Sequence, residues 1–466
     1  AKSVHESKGH LNTLKADLCG VLGLKHLDAF GVSVPNSAGF VDKDPSTMIP
    51  DNAVQSGQDM YYKEGKVLTT RFGYTRYNTS EIDASSGIRG LFGYYQVDGT
   101  RELIICSGTS LYRGNSGSPS KLTGADGLGL TNNLDWAAAQ FADNLYLVNG
   151  TDAMVQVDNV TASTASGSPP LGTMVVEHKN MLFTAGNATN PNRLYFSAIG
   201  SATSWPATNF INIVTNDGSP ITALVSLGDS LIIFKENHVY ALDGASKSSF
   251  FVRRVSTEYG CAGIRAVCVA GNVVAFMDTK GPRAVLLDAS DDFKDISTPL
   301  IPNTFNGLND AQLSKCAVTF YKNLIVFNVT DSSSNNNNRR LVFDLDKGAW
   351  CVKWTRGFSI EVNYVAGSSR PYYSGNPTTG LIYQQDNANT DDGNEIKEWF
   401  RTKDYDLGVA HNPKRFRKLW AKAYFDGAMP ERALAVDVYI DEDVDSSAIL
   451  TFESFQGFVL DDPTLG

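Results

Sequence analysis

The sequence lacks the features by which membrane-spanning and disulfide-linked proteins are usually recognised. None of its apolar runs approaches the roughly 18 to 20 residues of a transmembrane helix. Its first residues show no basic segment followed by an apolar core, so we expect no secretory signal. Its six cysteines stand singly instead of in C-x-x-C pairs. That pattern predicts buried free thiols in a protein made in a reducing cytosol.

Catalytic and metal-binding motifs are also missing. The sequence has no G-x-x-x-x-G-K-[ST], no G-x-S-x-G and no H-E-x-x-H, and its six histidines lie far apart. A metal centre or a catalytic triad would need several of these histidines to converge from distant segments. We therefore predict that the protein is not an enzyme and has no metal, cofactor or catalytic residue.

Positive charge is scarce. Lysine and arginine number 40 against 50 aspartate and glutamate residues, which gives a formal net charge of −10. A protein that grips nucleic acid over a broad face needs an excess of basic residues to bind the phosphates. The charge balance therefore predicts that any contact with DNA is local or weak.

What the sequence does contain is a repeat of short, β-rich apolar segments that each follow a polar or turn-forming pair. The aligned positions are Leu103, Leu145, Met181, Leu231, Val273 and Leu324, with a weaker seventh unit near Tyr372. Repeats of about 40 to 50 residues, each built from four short strands, are typical of propeller blades. The runs such as GDSLIIF are continuously apolar, as expected of strands that are covered on both faces.

The predicted fold is therefore all-β: a β-propeller of about seven blades with an N-terminal arm that contains a helix and a C-terminal β-sandwich-like domain. The predicted boundaries are 1–66 for the helix and extended docking arm, 67–397 for the propeller and 398–466 for the C-terminal β-domain. Leucines at helical spacing within 9–27 predict the helix. The strand near 67–77 is expected either to close the ring with the last blade or to belong to the arm, so six or eight blades stay open as alternatives.

One cationic cluster stands out in the C-terminal region. Its residues are candidates for contacts with a partner or with DNA: Lys414, Arg415, Arg417, Lys418 and Trp420. They can bind phosphates while the aromatic rings stack on bases. The favoured interpretation is a solvated strand edge whose lysines discourage aggregation, or a subunit interface that faces the acidic segment 441–445.

A second open pair of interpretations concerns aromatic residues near the start of the propeller. They can line a sugar-binding groove or simply pack between blades, and packing is favoured; they are Tyr74, Tyr77, Phe92, Tyr94 and Tyr95. A propeller glycosidase would need two close carboxylates. The Ser-x-Asp-x-Gly-x-Thr-Trp turn of sialidase-type propellers is absent from this sequence.

Five stretches carry a resemblance to a known family. They are RFGYTRYN (71–78), GIRGLFGYYQVDGTRELIICSGTSLYRG (87–114), NPNRLYFSAIGSATSWPATNFINI (190–213), DGSPITALVSLGDSLIIFKENHVYALDG (217–244) and FRTKDYDLG (400–408). In their order they resemble tail-hub, nozzle and DNA-stabilisation (head-completion) proteins of short-tailed bacteriophages. The resemblance covers about residues 67 to 440 and marks blades, not a catalytic site.

The resemblance implies a structural virion protein made in the host bacterial cytoplasm and built into the tail. It implies a homo-oligomeric ring, a hexamer, that extends the DNA conduit below the portal and adaptor, retains the genome and supports ejection. Implied partners are the adaptor or portal, tail fibre or needle proteins, and genomic DNA passing without sequence specificity, with no membrane insertion. An acidic channel would let DNA slide. The alternative is a receptor- or glycan-directed propeller, such as a receptor-binding tail protein or a glycosidase.

Overall fold

The computed structural model of the chain describes most of the central region and several strands near both ends. The described residues are 13–20, 30–33, 39–50, 52–63, 67–84, 86–114, 117–214, 218–404, 414–421, 433–438 and 448–453. Within these described ranges, six strands come before the main body of the protein. They are β1 (Thr13–Gly20), β2 (Phe30–Ser33), β3 (Gly39–Phe40), β4 (Ala53–Gln58), β5 (Met60–Lys63) and β6 (Val67–Thr70).

The main body consists of seven antiparallel sheets, here called blades 1 to 7. Blade 1 contains β8 (Ile88–Tyr95), β9 (Arg101–Ser107), β10 (Ser110–Gly114) and β11 (Ser120–Lys121); blade 2 contains β12 (Ala137–Phe141), β13 (Asn144–Val148), β14 (Val155–Asp158) and β15 (Thr161–Thr164). Blade 3 contains β16 (Met174–His178), β17 (Met181–Ala185), β18 (Arg193–Phe196) and β19 (Phe210–Asn212); blade 4 contains β20 (Ile221–Leu227), β21 (Ser230–Lys235), β22 (Val239–Asp243) and β23 (Phe251–Ser256).

The remaining three blades complete the set. Blade 5 contains β24 (Val267–Ala270), β25 (Val273–Met277), β26 (Ala284–Asp288) and β27 (Phe293–Asp295). Blade 6 contains β28 (Ala317–Tyr321), β29 (Leu324–Val329), β30 (Arg339–Asp344) and two short outer strands, β31 (Ala349–Trp350) and β32 (Trp354–Thr355). Blade 7 contains β33 (Ile360–Asn363), β34 (Tyr372–Gly375), β35 (Ile382–Ala388) and, from the start of the chain, β7 (Gly73–Arg76).

The seven blades form a closed ring. The first strand of each blade contacts the first strand of the next, and β33 of blade 7 contacts β8 of blade 1. The fold is therefore a seven-bladed β-propeller, as the repeat predicts. Each of the seven aligned sequence positions lies in the second strand of a different blade, from Leu103 in β9 to Tyr372 in β34.

The second strands are buried because both of their faces pack against other sheets. In β17 all five residues are buried, and in β21 every residue after the first is buried. The apolar side chains form clusters between neighbouring blades, such as the one that joins Phe183, Phe196 and Leu231 of blades 3 and 4. A continuously apolar strand is stable only when sheets cover both of its faces. The apolar runs in the sequence therefore predict the buried second strands correctly.

The tight turns between first and second strands also follow from the sequence. In blade 3, Lys179 and Asn180 have φ values of 47° and 62°, and in blade 6, Lys322 and Asn323 have values of 49° and 62°. Two consecutive residues with positive φ are the feature of a type I′ hairpin turn, whose twist matches that of the strands. The polar pairs Lys179-Asn180 and Lys322-Asn323 are thus hairpin turns.

The strand pairs at the point of ring closure show whether the segment near 67–77 closes the ring or belongs to the arm, which the sequence leaves open. β7 pairs antiparallel with β35, with Tyr74 opposite Gln385 and Arg76 opposite Tyr383. β6 pairs instead with β5. Blade 7 is therefore built from both ends of the propeller segment, and β6 belongs to the arm.

The predicted helix is wrong where the structure describes that segment. Residues Thr13–Gly20 form β1, which pairs antiparallel with β2 and with β37 (Lys414–Ala421). Apolar residues in this stretch also alternate with polar ones, as in LKADL, so the pattern fits a strand as well as a helix. The strand is selected by partners that are distant in sequence, which local spacing does not reveal.

A further interpretation concerns the Trp-Pro at 205–206, which the sequence suggests is the exit from a blade. The structure places it inside blade 3, in the connection between β18 and β19. Trp205 packs against buried residues of blades 2 and 3, and its Nε1 donates a hydrogen bond to the Ala202 carbonyl at 2.8 Å. The connection folds back onto the blade because the indole ring has apolar partners there.

The remaining elements of the described chain are short. The helical segments of the described residues are α1 (Pro302–Asn306) and two 3₁₀ turns, Ala125–Leu128 and Asp310–Lys315. After the propeller come β36 (Trp399–Thr402), β37, β38 (Ala433–Val438) and β39 (Ala448–Glu453), of which β38 and β39 form a hairpin. The division into 1–66, 67–397 and 398–466, including a C-terminal sandwich, stays a prediction.

The buried thiols lead to a testable expectation. Cys106, Cys261, Cys316 and Cys351 are buried free cysteines, and burial raises the pKa of Cys261 to about 12. At pH 8 about one such thiol in ten thousand is ionised, against about a quarter of ordinary thiols. We expect Cys106 and Cys261 to stay unmodified by a thiol reagent in the native protein and to react fully in denaturant, as peptide mass spectrometry would measure.

The same groups give the stability a pH dependence with a definite sign. A thiol whose pKa is raised by folding keeps its proton in the folded state, so its contribution is complete below the unfolded pKa of about 8.5. That contribution falls as the pH rises from about 8.5 towards 12. Rapid labelling of Cys106 or Cys261 at pH 8 without loss of structure would contradict the burial described here.

Candidate assembly surfaces

The predicted partner-binding residues lie on one strand at the edge of a small sheet. Lys414, Arg415, Arg417, Lys418 and Trp420 all belong to β37, in a three-stranded sheet of order β2-β1-β37. Lys418 stands opposite Asp17 and Trp420 opposite Lys15, while a register shift leaves Arg417 without an opposite residue. An edge strand with lysines and a bulge fits the interpretation of a protected edge. Their contacts with DNA or with a partner stay a prediction.

The part of the arm from β3 to β5 covers the outer side of blade 6. β3, β4 and β36 form a sheet whose β4 is bridged to this blade between Gln58 and Lys353. Phe40, Val54 and Met60 share one apolar core with the outer part of the blade, which contributes Trp350, Val352 and Trp354. The Trp354 Nε1 donates a hydrogen bond to the Met60 carbonyl at 2.9 Å. The arm therefore hides a sheet edge that would otherwise be open to other chains.

A carboxylate just after β3 fixes the arm to the connection between blades 5 and 6. Asp42 accepts hydrogen bonds from the backbone N–H groups of Asn303 and Thr304 at 3.1 and 2.7 Å, and from the Thr304 hydroxyl at 2.5 Å. These residues open α1, whose first N–H groups have no partner within the helix. Asp42 thus acts as a cap supplied by a distant segment, because Ile301 at the cap position offers no side-chain acceptor.

The end of the arm is held by a buried arginine between two carboxylates, here called the Arg71 cluster. The Arg71 Nε lies 2.7 Å from Asp59, and its two terminal nitrogens donate to both oxygens of Asp391 at 2.8 and 2.5 Å. Asp59 also accepts hydrogen bonds from the Thr355 N–H at 2.8 Å and hydroxyl at 2.7 Å. The side chains of Arg71 and Asp59 are almost fully buried. The cluster therefore joins the arm, blade 6 and the segment that follows blade 7.

The charges of this cluster are mutually compensated. Burial acts to lower the pKa of Arg71, but the hydrogen bonds and negative charges of Asp391 and Asp59 outweigh it and raise the pKa above its usual value. A bidentate guanidinium–carboxylate contact has the strongest geometry for such a pair. Arg71 is thus a permanent cation at the point where the chain enters the propeller.

Beside the Arg71 cluster, a second arginine, Arg356, and three aromatic rings hold β7, the strand that closes the ring. Arg356 donates to the hydroxyls of Tyr74 and Tyr383 at 2.6 Å each. Its guanidinium also lies over the rings of Tyr74, Tyr383 and Phe358. Burial raises the pKa of Tyr74, although Arg356 acts to lower it. Tyr74 on β7 is therefore tied both to blade 7 and to the residue that follows blade 6.

Three large apolar side chains of the arm and of β36, which pairs with it, are exposed in the described structure. Met48 is 72% exposed, Trp399 is 50% exposed and Phe72 is 45% exposed. All three belong to the module formed by residues 39–72 and β36. A firmly anchored module that exposes large apolar side chains is a candidate contact surface for another protein.

The aromatic residues near the start of the propeller pack between strands and do not form an open groove. Tyr74 and Tyr94 are buried, Tyr77 packs edge-on against Tyr373, and Tyr95 stacks on Tyr364. The hydroxyl of Tyr94 accepts hydrogen bonds from the Gln96 amide at 2.7 Å and the Asn159 N–H at 3.1 Å. These contacts confirm blade packing as the reason for the aromatic pattern.

Within the described ranges, no group of three or more His, Cys, Asp or Glu residues is arranged to hold a metal ion. No helix in this part of the chain is long and apolar enough to cross a membrane. Sequence reasoning did not assign roles to Asp42, Asp59, Arg71 or Asp391. The stretch RFGYTRYN holds two arginines, Arg71 and Arg76, and nothing local in the sequence shows which of them has a buried partner.

Comparison with known proteins gives one family match. The family model described as Bacteriophage P22 Gp10, beta-propeller, matches residues 29–324. The comparison with curated protein sequences gives no match.

Three solved structures are similar in part. The extracellular domain of the one-component system BT4673 from B. thetaiotaomicron has a TM-score of 0.47 at 8% identity, covering 69% of this chain, which spans 40% of that one. YCF48 bound to D1 peptide has a TM-score of 0.42 at 8% identity, with 66% and 94% covered. The WD40 beta propeller domain of Doa1 has a TM-score of 0.44 at 7% identity, with 68% and 97% covered.

Proposed function

This chain belongs to the Bacteriophage P22 Gp10 β-propeller family, and we propose that it forms an oligomeric ring that extends the DNA conduit of a phage tail. Family membership makes it a structural virion protein of the head-completion or tail type. The observation that carries the finer proposal is the match across part of the arm, the first five blades and the start of blade 6, residues 29–324. In the proposed role the ring retains the packaged genome and supports its ejection.

The proposed assembly is a hexamer below the portal and adaptor, with fibre or needle proteins attached further down. A closed propeller supports this role because its sheets are joined into a ring and its blade 6 edge is covered, which leaves a rigid wedge. Rigid wedges that meet through one repeated heterologous contact form a ring when the rotation closes. We propose that the exposed side chains of Met48, Phe72 and Trp399, on the arm and on β36, contact the neighbouring protein.

DNA is proposed to pass the assembled ring without sequence-specific contacts. The net charge of −10 supports this, since a negatively lined passage repels phosphates and lets the genome slide. The basic strand β37 is the proposed exception, with Lys414, Arg415, Arg417, Lys418 and Trp420 facing DNA or an acidic partner. Calculation of the surface potential of an assembled ring tests this idea, and a strongly basic lumen would refute it.

The function can be tested on packaged heads that lack this protein. Added purified protein is expected to attach at one vertex as a six-fold ring, visible by cryo-electron microscopy, and to raise the amount of nuclease-resistant genome. The double variant Met48→Ser, Trp399→Ser is expected to lower this protection at least about tenfold, since burying each large apolar side chain is worth about 1.5–3 kcal/mol.

The matched control is Val97→Ser, which changes an apolar residue that is 88% exposed and lies in the first hairpin of blade 1, away from the arm. It should protect the genome as well as the unchanged protein does. Heads that keep their DNA without this protein, or purified protein that binds cell-surface glycans as a monomer and never attaches to heads, would contradict the proposal.

A further inference from the structure

An ion pair crosses the central channel of the propeller. Arg265 lies just before β24, the first strand of blade 5, and Asp135 lies just before β12, the first strand of blade 2. The Arg265 Nη2 lies 2.6 Å from the Asp135 Oδ2. Blades 2 and 5 are separated by blades 3 and 4 on one side and by blades 6, 7 and 1 on the other. A contact between them therefore has to span the space that the seven first strands enclose.

A second arginine shares the same carboxylate. Arg89 lies on β8, the first strand of blade 1, and its Nη1 is 3.7 Å from the Asp135 Oδ1. The backbone supports this arrangement, because the Trp136 N–H donates to the Arg89 carbonyl at 3.1 Å. The three residues, here called the channel triad, carry two positive charges and one negative charge. One unit of positive charge is left over in a protein that is acidic overall.

The triad has donors without acceptors. The Arg265 side chain is only 9% exposed, and its Nε and Nη1 have no hydrogen-bond partner among the described residues. The same holds for the Arg89 Nε and for one acceptor, the Asp135 Oδ1. Burial lowers the pKa of Arg265, Asp135 acts to raise it, and Arg89 lowers it further. Buried guanidinium groups with unfilled N–H groups are costly, and such groups call for a water or an ion.

The triad is also reachable from the channel. The Arg89 side chain is 23% exposed and that of Asp135 is 33% exposed, so parts of the triad border an accessible space, while the unpaired nitrogens themselves are buried. All three residues stand at or before the beginnings of first strands, which places them at one end of the channel. A planar guanidinium presents several donors to oxygen atoms of one acceptor.

We infer that the channel triad is a binding site for a small free oxyanion such as phosphate, held by Arg89 and Arg265 at one end of the channel. The anion neutralises the leftover positive charge and accepts hydrogen bonds from the guanidinium groups. It binds the guanidinium groups alongside Asp135, whose negative charge opposes its binding. The site belongs to the isolated chain and does not depend on the proposed virion role.

Calorimetric titration of the full chain with inorganic phosphate tests this inference, against chloride at equal ionic strength. The unchanged protein is expected to bind one phosphate. Arg89→Gln is expected to weaken binding about tenfold or more, because hydrogen bonds to charged groups are among the strong ones. The matched control, Arg113→Gln, removes a half-buried arginine of blade 1 that pairs with Glu102 and is expected to leave phosphate binding unchanged.

Asp135→Asn separates a binding site from a purely structural contact. Removal of this negative charge leaves two arginines, so phosphate binding is expected to tighten about tenfold, even if Arg89→Gln fails to fold. A purely structural ion pair predicts no gain. Absence of phosphate-specific binding in the unchanged protein, equal affinities of Arg89→Gln and Arg113→Gln, or no tightening by Asp135→Asn would each overturn the inference.

Discussion

Replacement of Arg71 by methionine is expected to lower the free energy of unfolding by about 3–5 kcal/mol, since removal of one partner leaves a buried charge uncompensated. Asp59 is buried next to Arg71 and keeps only its hydrogen bonds from Thr355 once the guanidinium is gone. Asp391 loses a bidentate contact at the same time. Denaturant unfolding followed by circular dichroism and by tryptophan fluorescence measures the change.

The neighbouring strand supplies a matched control. Arg76 on β7 also pairs with an aspartate, Asp392, at 2.6 Å, but its side chain is half exposed. Because water and salt screen an exposed pair, Arg76→Met is expected to change the stability far less than Arg71→Met. Arg71→Lys should fall between the two, since an ammonium keeps the charge but loses the planar fork. Equal effects of Arg71→Met and Arg76→Met would contradict the role assigned to the cluster.

The contrast between these two arginines shows where sequence reasoning succeeds and where it stops. Arg71 and Arg76 stand five residues apart in RFGYTRYN, and nothing local distinguishes them. Their difference comes from Asp391 and Asp392, which are about 320 residues away along the chain. Burial and ion pairing at this site are tertiary properties, so the sequence offers the candidates but not their roles.

The blades were predictable because their signal is local and repeated. Each second strand carries its own apolar run and its own turn, so seven independent segments point to the same architecture. The arm offers no repeat, and its strand β1 is chosen by pairing with β2 and β37. This is why a leucine spacing that also fits a helix led to the wrong prediction there. The channel triad is equally invisible, because its three residues come from blades 1, 2 and 5.

The second large effect is expected at the point where the ring closes. Gly73 begins β7, and a Cβ atom added there would lie 2.0 Å from the carbonyl oxygen of Thr390. The contact is with backbone and cannot be relieved by a flexible side chain. The Tyr74 N–H, which donates to the same Thr390 oxygen at 3.1 Å, would have to move as well. Gly73→Val is therefore expected to cost at least about 3 kcal/mol, at the upper end of overpacking effects.

The destabilisation by Gly73→Val should begin at the strands that close the ring. Hydrogen exchange is expected to accelerate in β7 and β35 before it changes in blades 3 and 4. Among the described strands, β7 alone precedes blade 1 in the chain and pairs with blade 7, so it joins the first blade to the last. Gly127→Ala is the control, since a Cβ there meets nothing within 4 Å, and such surface changes stay within about 0.5 kcal/mol. Uniform acceleration in all seven blades would mean that closure and blade packing unfold as one unit. Unchanged exchange in β7 would mean that the Arg71 cluster and Arg356 hold the strand without the backbone contact at Gly73.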